Sequence, residues 1–164
     1  HKFFGPKGVG FTIIRKSLAS MLGFGDLLGT PSVQLIVALK LALEEAAKIK
    51  TQKSDFELRI KELFKDKVTI VSESEKRALN TSTVIFHGKK SHEILMKLDL
   101  AGIYASSGSA CSSNVTGPNR VLLAMGYSEE DATSSVRFSF GPNVSEDALS
   151  KLTHCLNGAL VKSS

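Results

Sequence analysis

Apolar positions along this chain recur with two periods, one near two residues and one between three and four, and the switches between them lay out a series of strands and helices. Residues Gly5 to Gly10 (GPKGVG) are turn material, and the FTII of Phe11 to Ile14 that follows reads as a short buried strand. Ser17 to Gly29 reads as a glycine-containing loop. Thr30 and Pro31 have the character of an N-cap and a first helical residue, opening a long helix to about Lys50. Its apolar positions Val33, Leu35, Ile36, Leu39, Leu43 and Ala46 spread over a stripe broad enough to pack on more than one neighbour. Ser54 and Glu57 have capping-box spacing at the head of a second helix through Phe56, Ile60, Leu63 and Phe64. Strands are then expected at Val68 to Val71 and Ser82 to Phe86, a helix at Ser91 to Leu100, and a short strand at Ile103 to Ala105. Pro118 to Met125 and Glu129 to Ser134 read as helical, Val136 to Phe140 alternates as a strand, and Glu146 to Val161 closes as an amphipathic helix.

This order predicts an α/β protein with a boundary along the long first helix. Residues 1–30 belong with another body, 31–50 form a connecting helix, and 51–164 make a small compact α/β domain. Composition agrees with a packed core: 42% of the 164 residues are hydrophobic and 23% charged. A net charge of +5 raises nucleic acid as a partner, but the basic residues alternate with acidic ones on the expected helix faces, which is the pattern of a solvated surface. Neither a disulfide framework nor a paired-cysteine metal site is indicated, since Cys111 and Cys155 are far apart in unlike surroundings; a reducing, cytoplasmic setting fits. No run of about 18 apolar residues or leader-like opening points to a membrane or to secretion. His1 stands where a natural chain has Met, so an amino-terminal portion is expected to precede it.

Four residues attract a chemical reading. Cys111 sits in SSGSACSSN, Ser106 to Asn114, among small polar residues with no periodicity that would bury it. A free cysteine is usually buried as a small hydrophobe, whereas an accessible thiol on a loop can swing to an intermediate and attack it. Local sequence alone leaves catalysis, redox sensing and an incidental surface thiol open. Cys155 instead shares the apolar side of the last helix with Leu152, Leu156, Ala159 and Leu160, a packing position. Lys2, held between His1 and Phe-Phe-Gly-Pro, suits a lysine that forms a Schiff base, although a terminal lysine is ordinarily just solvated. GPKGVG matches neither GxxxxGK[ST] nor GxGxxG. Arg137 lies between apolar Val136 and Phe138 on an alternating strand, so it faces away from both; there it can grip a carboxylate with two parallel hydrogen bonds or make a surface ion pair.

Taken together, HKFFGPKGVG from His1, GTPSVQ from Gly29, SSGSACSS from Ser106 and SSVRFSFG from Ser134 resemble the NifS-like cysteine desulfurases of the class V aminotransferase fold, in that family's order. The resemblance implies the carboxy-terminal small domain of a fold-type I pyridoxal-phosphate-dependent transferase, 51–164, with residues 1–30 as the tail of its large domain. It further implies pyridoxal 5'-phosphate as cofactor, with Lys2 bonded to it, His1 on its phosphate, and Thr30 reaching the phosphate of the neighbouring subunit in a homodimer. Arg137 would bind the carboxylate of L-cysteine, and Cys111 would take its sulfur as a persulfide for an iron–sulfur scaffold or other acceptor. GFGDLLGT, Gly23 to Thr30, departs from the family pattern, which has a longer glycine-rich stretch before the Gly-Thr.

The resemblance also admits selenocysteine- or cystine-cleaving relatives, organellar placement in a eukaryote, and a non-catalytic interaction module that docks on a sulfur acceptor. The triplets at Asn80, Asn114 and Asn143 match glycosylation sequons, but with no paired-cysteine framework a secreted glycoprotein is the weakest reading.

Overall fold

The computed structural model describes residues 5–21, 31–46, 51–107 and 117–160. The chain divides into two compact units, His1–Lys50 and Thr51–Ser164.

The first unit carries α1 (Lys16–Met21) and α2 (Val33–Ala46). Two expectations fail here. Phe11 to Ile14 is not a strand: no partner strand lies beside it among the described residues, and Phe11 and Ile13 are 57% and 89% exposed rather than buried. Part of the expected loop is helical instead, since Leu18 N–H and Ala19 N–H both reach Arg15 C=O and start α1. α2 begins two residues beyond Pro31, where Ile36 N–H bonds Ser32 C=O; Thr30 lies outside the described residues. Of its apolar stripe only Leu39 is buried, while Val33, Ile36, Val37, Leu41 and Leu43 stay exposed.

The second unit is a four-stranded antiparallel sheet with helices. Its strands are β1 (Val68–Ile70), β2 (Thr81–Phe86), β3 (Ser106–Ser107) and β4 (Ser135–Ser139), in the order β1-β2-β4-β3. Alternation sends Val84, Phe86, Val136 and Phe138 to one face. There they meet α3 (Lys53–Phe64), α4 (Ser91–Leu100) and α7 (Glu146–Leu160) through Phe56, Ile60, Ile94, Leu98, Leu149 and Leu156, all fully buried. Phe56 is the centre of this layer, with ring centroids 4.9 Å from Phe138 and 5.2 Å from Phe140. On the opposite face a smaller cluster of Val71, Ile85, Leu122 and Ala132 fixes the short helices α5 (Arg120–Ala124) and α6 (Glu129–Thr133) over one end of the sheet.

Helix ends in this unit follow from sequence. Asn119 accepts hydrogen bonds from the Val121 and Leu122 N–H groups at the head of α5, and Ser128 accepts one from Asp131 N–H at the head of α6. α4 and α5 each stop at a glycine with positive φ, Gly102 at 72° and Gly126 at 89°. In each case the residue after the glycine bonds back five residues, Ile103 N–H to Leu98 C=O and Tyr127 N–H to Leu122 C=O, and packs its side chain on the adjoining cluster. The Gly102 turn thereby seats Ile103 in the core and aims the chain into β3, which begins just after the strand expected at Ile103 to Ala105.

The expected capping box at Ser54 does not form. α3 starts at Lys53 with no side-chain cap, and Glu57 turns inward. Its carboxylate takes two bonds from Arg77, at 2.6 and 3.0 Å, and one from Ser82 Oγ at 2.6 Å, while Lys53 Nζ donates to Ala78 C=O. These bonds, with Thr51 Oγ1 to Leu79 C=O and Lys61 to Glu73, strap the 72–80 segment against α3.

Candidate functional site

Cross-strand register builds a polar row on the sheet face away from α3, α4 and α7. Arg137 on β4 lies directly opposite Thr83 of β2 on one side and Ser106 of β3 on the other. Directly opposed residues have Cβ atoms about 5 Å apart, so two hydroxyl side chains flank the root of the Arg137 side chain. Val136 and Phe138, its neighbours in sequence, are buried in the helix-facing core, while Arg137, Thr83 and Ser106 are half-buried. α5 and α6 cover the Ile85 and Ser135 end of this face.

Arg137 makes no ion pair among the described residues, and no hydrogen bond engages the side chains of Thr83 or Ser106 there. None of the Arg137 nitrogens is sealed away without a partner. Among the described residues, then, no surface ion pair engages Arg137. An accessible, planar, permanently charged fork flanked by hydroxyls has the donor set for a carboxylate or similar oxyanion.

Of the residues singled out from sequence, Arg137 and Cys155 fall within the described residues; Cys111, Lys2, His1 and Thr30 lie outside them. Cys155 is half-buried against the main core, its thiol 3.5 Å from Lys97 C=O, as a packing cysteine should be. The segment bearing Cys111 leaves the sheet at Ser107 and rejoins the described chain at Gly117, and Asn119 N–H bonds Ala132 C=O of α6. Both anchors of that segment thus stand on elements that border the Arg137 face.

Reading the sequence missed Thr83 and Ser106. The one available signal was the Thr-Ser-Thr start of β2, whose alternation puts Thr81 and Thr83 on one face; the register that sets Thr83 and Ser106 beside Arg137 belongs to the sheet. It also missed a chain of hydrogen bonds at the β1 edge, Thr69 Oγ1 to His87 Nε2 at 2.8 Å and His87 Nδ1 to Asp131 Oδ1 at 3.0 Å, which ties α6 to β1 and to the end of β2. A cleft of about 380 Å³ adjoins it, lined by Gly88, Lys89, Lys90, Glu129, Glu130, Thr133 and Ser134; its charges are mixed and Arg137 is not part of it.

A clear electrostatic perturbation among the described residues is at Glu57, and it is structural. Burial opposes ionisation of its carboxyl, yet the hydrogen bonds from Arg77 and Ser82 and the charges of Arg77 and Lys53 together outweigh burial and hold it below the ordinary carboxylate range. Burial in turn lowers the Lys53 ammonium, an effect that Glu57 opposes and Arg77 reinforces. Among the described residues no group of three or more His, Cys, Asp or Glu side chains could hold a metal ion, and no helix is long and apolar enough to cross a membrane.

Comparison with known proteins places this geometry. The profile of the class V aminotransferases matches residues 1–152. The chain belongs to the class V aminotransferase family. It is 32% identical over 170 residues to a protein named cysteine desulfurase IscS 1 from Archaeoglobus fulgidus, covering 96% of this chain and 44% of that protein. It is 30% identical over 181 residues to an IscS-like cysteine desulfurase of Mycobacterium tuberculosis, covering 99% of this chain and 45% of the relative. A solved structure titled NifS-like protein superposes with a TM-score of 0.68 at 25% identity, over 98% of this chain and 44% of that one. The mixed α/β fold of this family member is thus shared with NifS-like proteins, and the chain spans less than half the length of these relatives.

Proposed function

We propose that this class V aminotransferase chain carries part of a pyridoxal-phosphate-dependent cysteine desulfurase site, in which Arg137 grips the substrate carboxylate and Cys111 accepts the sulfur. One observation carries the reading: a half-buried Arg137, with no ion pair among the described residues, stands in register with Ser106, at the head of the segment that bears Cys111. Cys111 is four residues beyond Ser107, a covalent tether of at most about 14 Å. That length of chain is enough for the thiol to reach a substrate held at Arg137. Relatives named cysteine desulfurase over nearly the whole chain support the same assignment.

The chemistry of the remaining candidate residues fits the cofactor. Lys2 Nζ would hold a pyridoxal aldehyde covalently, and the His1 imidazole and Thr30 hydroxyl would hold its phosphate, Thr30 from a second copy of the chain. When bound, pyridoxal phosphate supplies an electron sink for the charge left on the amino-acid carbon skeleton. Arg137 fixes the carboxylate of L-cysteine through two parallel N–H bonds, which orients the Cα–H bond. The Lys2 amine takes the α-proton. The Cys111 thiolate then forms a bond to the substrate sulfur as the carbon–sulfur bond breaks; the carbon takes a proton, alanine leaves, and a persulfide remains on Cys111. That sulfur passes to an iron–sulfur scaffold or another acceptor in a reducing, cytoplasmic compartment.

The assignment is tested with sulfur-labelled L-cysteine and pyridoxal phosphate, supplied to this chain together with the amino-terminal part of the Archaeoglobus relative. Label should accumulate on Cys111, disappear in Cys111→Ser and persist in Cys155→Ser. Protein-bound label that survives Cys111→Ser rules out this nucleophile.

A further inference from the structure

The row Thr83, Arg137, Ser106 has a consequence for the segment beyond it. β3 is only two residues long and lies at the edge of the sheet, hydrogen-bonded to β4 alone. Upstream it is anchored firmly: the Gly102 turn seats Ile103, and Ala105 also packs on the main core. Downstream of Ser107 the chain runs straight into the segment that bears Cys111. Whatever tightens β3 against β4 therefore fixes the origin of that segment.

We propose that Ser106, assisted by Thr83, is a positioning residue that completes the oxyanion grip of Arg137 and so couples carboxylate binding to the anchoring of the Cys111 segment; this rests on the reading of Arg137 as the carboxylate site. A carboxylate has two oxygens and about four lone-pair positions, more than one guanidinium fork fills. The hydroxyl opposite Arg137 on β3 and the hydroxyl opposite it on β2 both lack hydrogen-bond partners among the described residues, and both lie on the Arg137 face. A carboxylate oxygen on Arg137 that also accepts the Ser106 O–H bridges β4 to β3 through side chains, adding to the short backbone ladder. The bound amino acid then holds the thiol segment at its root, and an empty site leaves β3 held only by its two-residue pairing. Thr83 reaches the same oxyanion from a strand paired with β4 over five residues, so it adds affinity without changing the anchoring.

The experiment is a titration of the full chain with propionate, and with propionamide as a neutral analogue of the same shape, followed by NMR at the Arg137 side chain and the Ser106 and Ser107 amides and by amide hydrogen exchange at β3. Propionate should shift all three sites along one saturating curve and slow exchange at the Ser106 amide, the one that faces Arg137 in the ladder, and propionamide should do neither. Ser106→Ala should weaken propionate binding by about tenfold, the scale of one hydrogen bond to a charged group, and abolish the slowing at the residue 106 amide, while Ser106→Thr retains both. Thr83→Val should weaken binding and keep the slowing. If Ser106→Ala leaves protection of the residue 106 amide by propionate intact while Arg137→Gln abolishes binding, the coupling is wrong and the carboxylate site stands. If Arg137→Gln binds propionate as the native chain does, or the native chain gives no saturable response, the carboxylate reading and the coupling fall together.

Discussion

Replacing Glu57 with Gln removes one charge from a site that is otherwise neutralised from three directions. The Glu57 and Arg77 side chains are 11% and 17% exposed, so the Arg77 guanidinium cannot recover its lost partner from bulk water, and its Nε is already buried without a hydrogen bond. Breaking a fully buried ion pair from one side costs roughly 3–5 kcal/mol. Residual exposure and the amide oxygen that Gln still offers to Ser82 and Arg77 reduce this to about 2–3 kcal/mol. For a unit the size of Thr51–Ser164 that loss corresponds to a melting temperature lower by roughly 10 °C. The pH dependence follows from the direction of the shift. A carboxyl held below its ordinary value of 4.5 in the fold contributes its full stability above that pH and loses it as the pH falls through the lower, folded value. Chemical denaturation of the native and Glu57→Gln chains should therefore show the widest gap near neutrality and a narrowing gap below pH 4.5. Arg77→Met combined with Glu57→Gln should cost less than the two changes summed, because each single change strands the other partner. Strict additivity, or a gap that stays constant down to acid pH, would refute the buried-pair account.

Phe56→Ala empties the centre of the helix-facing core and should cost about 3–5 kcal/mol, read as a large drop in the urea midpoint, with Phe56→Leu much milder; similar midpoints for the two would contradict the tilted ring contacts to Phe138 and Phe140. Asn119→Ala removes the cap of α5 for a loss of about 1 kcal/mol, and Asn119→Ser should restore most of it in the same unfolding assay. At Gly102 nothing lies within 4 Å of an added Cβ, so Gly102→Ala should cost only the backbone term for positive φ, about 1–2 kcal/mol, and Gly102→Asn less; an equal penalty for both would point to a steric cause instead.

Much of the second unit was legible because its elements bury one consistent face. Ser91–Leu100 is helical over the predicted span, and β1, β2 and β4 fall within a residue of prediction, since Val84, Phe86, Val136 and Phe138 alternate against a continuous helix layer. The errors share another physics. Phe11 to Ile14 has strand-like residues, but a strand also needs a partner edge, which residue preference does not report. Glu57 has capping-box spacing, yet the buried pair with Arg77, twenty residues away, recruits it into the fold. β3 was displaced because the Gly102 turn spends Ile103 on closing α4, delaying the ladder to Ser106. At the candidate site, alternation alone sends Arg137 to the face opposite Val136 and Phe138, whereas its flanking hydroxyls depend on the register of three strands.

That register explains why the proposed oxyanion row lies on a sheet rather than on a loop. The helix layer holds Val136 and Phe138 fully buried or nearly so, and each locks the backbone on one side of Arg137. The guanidinium is therefore presented from a backbone with little freedom to retreat, and little ordering cost remains to be met when an anion binds. The opposite requirement holds for the role proposed for Cys111, because a thiol that visits a substrate and then an acceptor needs a tether that can be loosened. A two-residue edge strand supplies that, being the weakest ladder in the sheet and the one adjoining Cys111 in sequence. Rigid grip and releasable tether meet at one residue pair, Arg137 with Ser106. A change that strengthens β3 without touching the row, such as Ser107→Val on its core-facing side, should therefore leave propionate affinity unchanged while slowing amide exchange at residue 106 even in the absence of ligand; faster exchange there, or a loss of affinity, would mean that grip and tether are not separable.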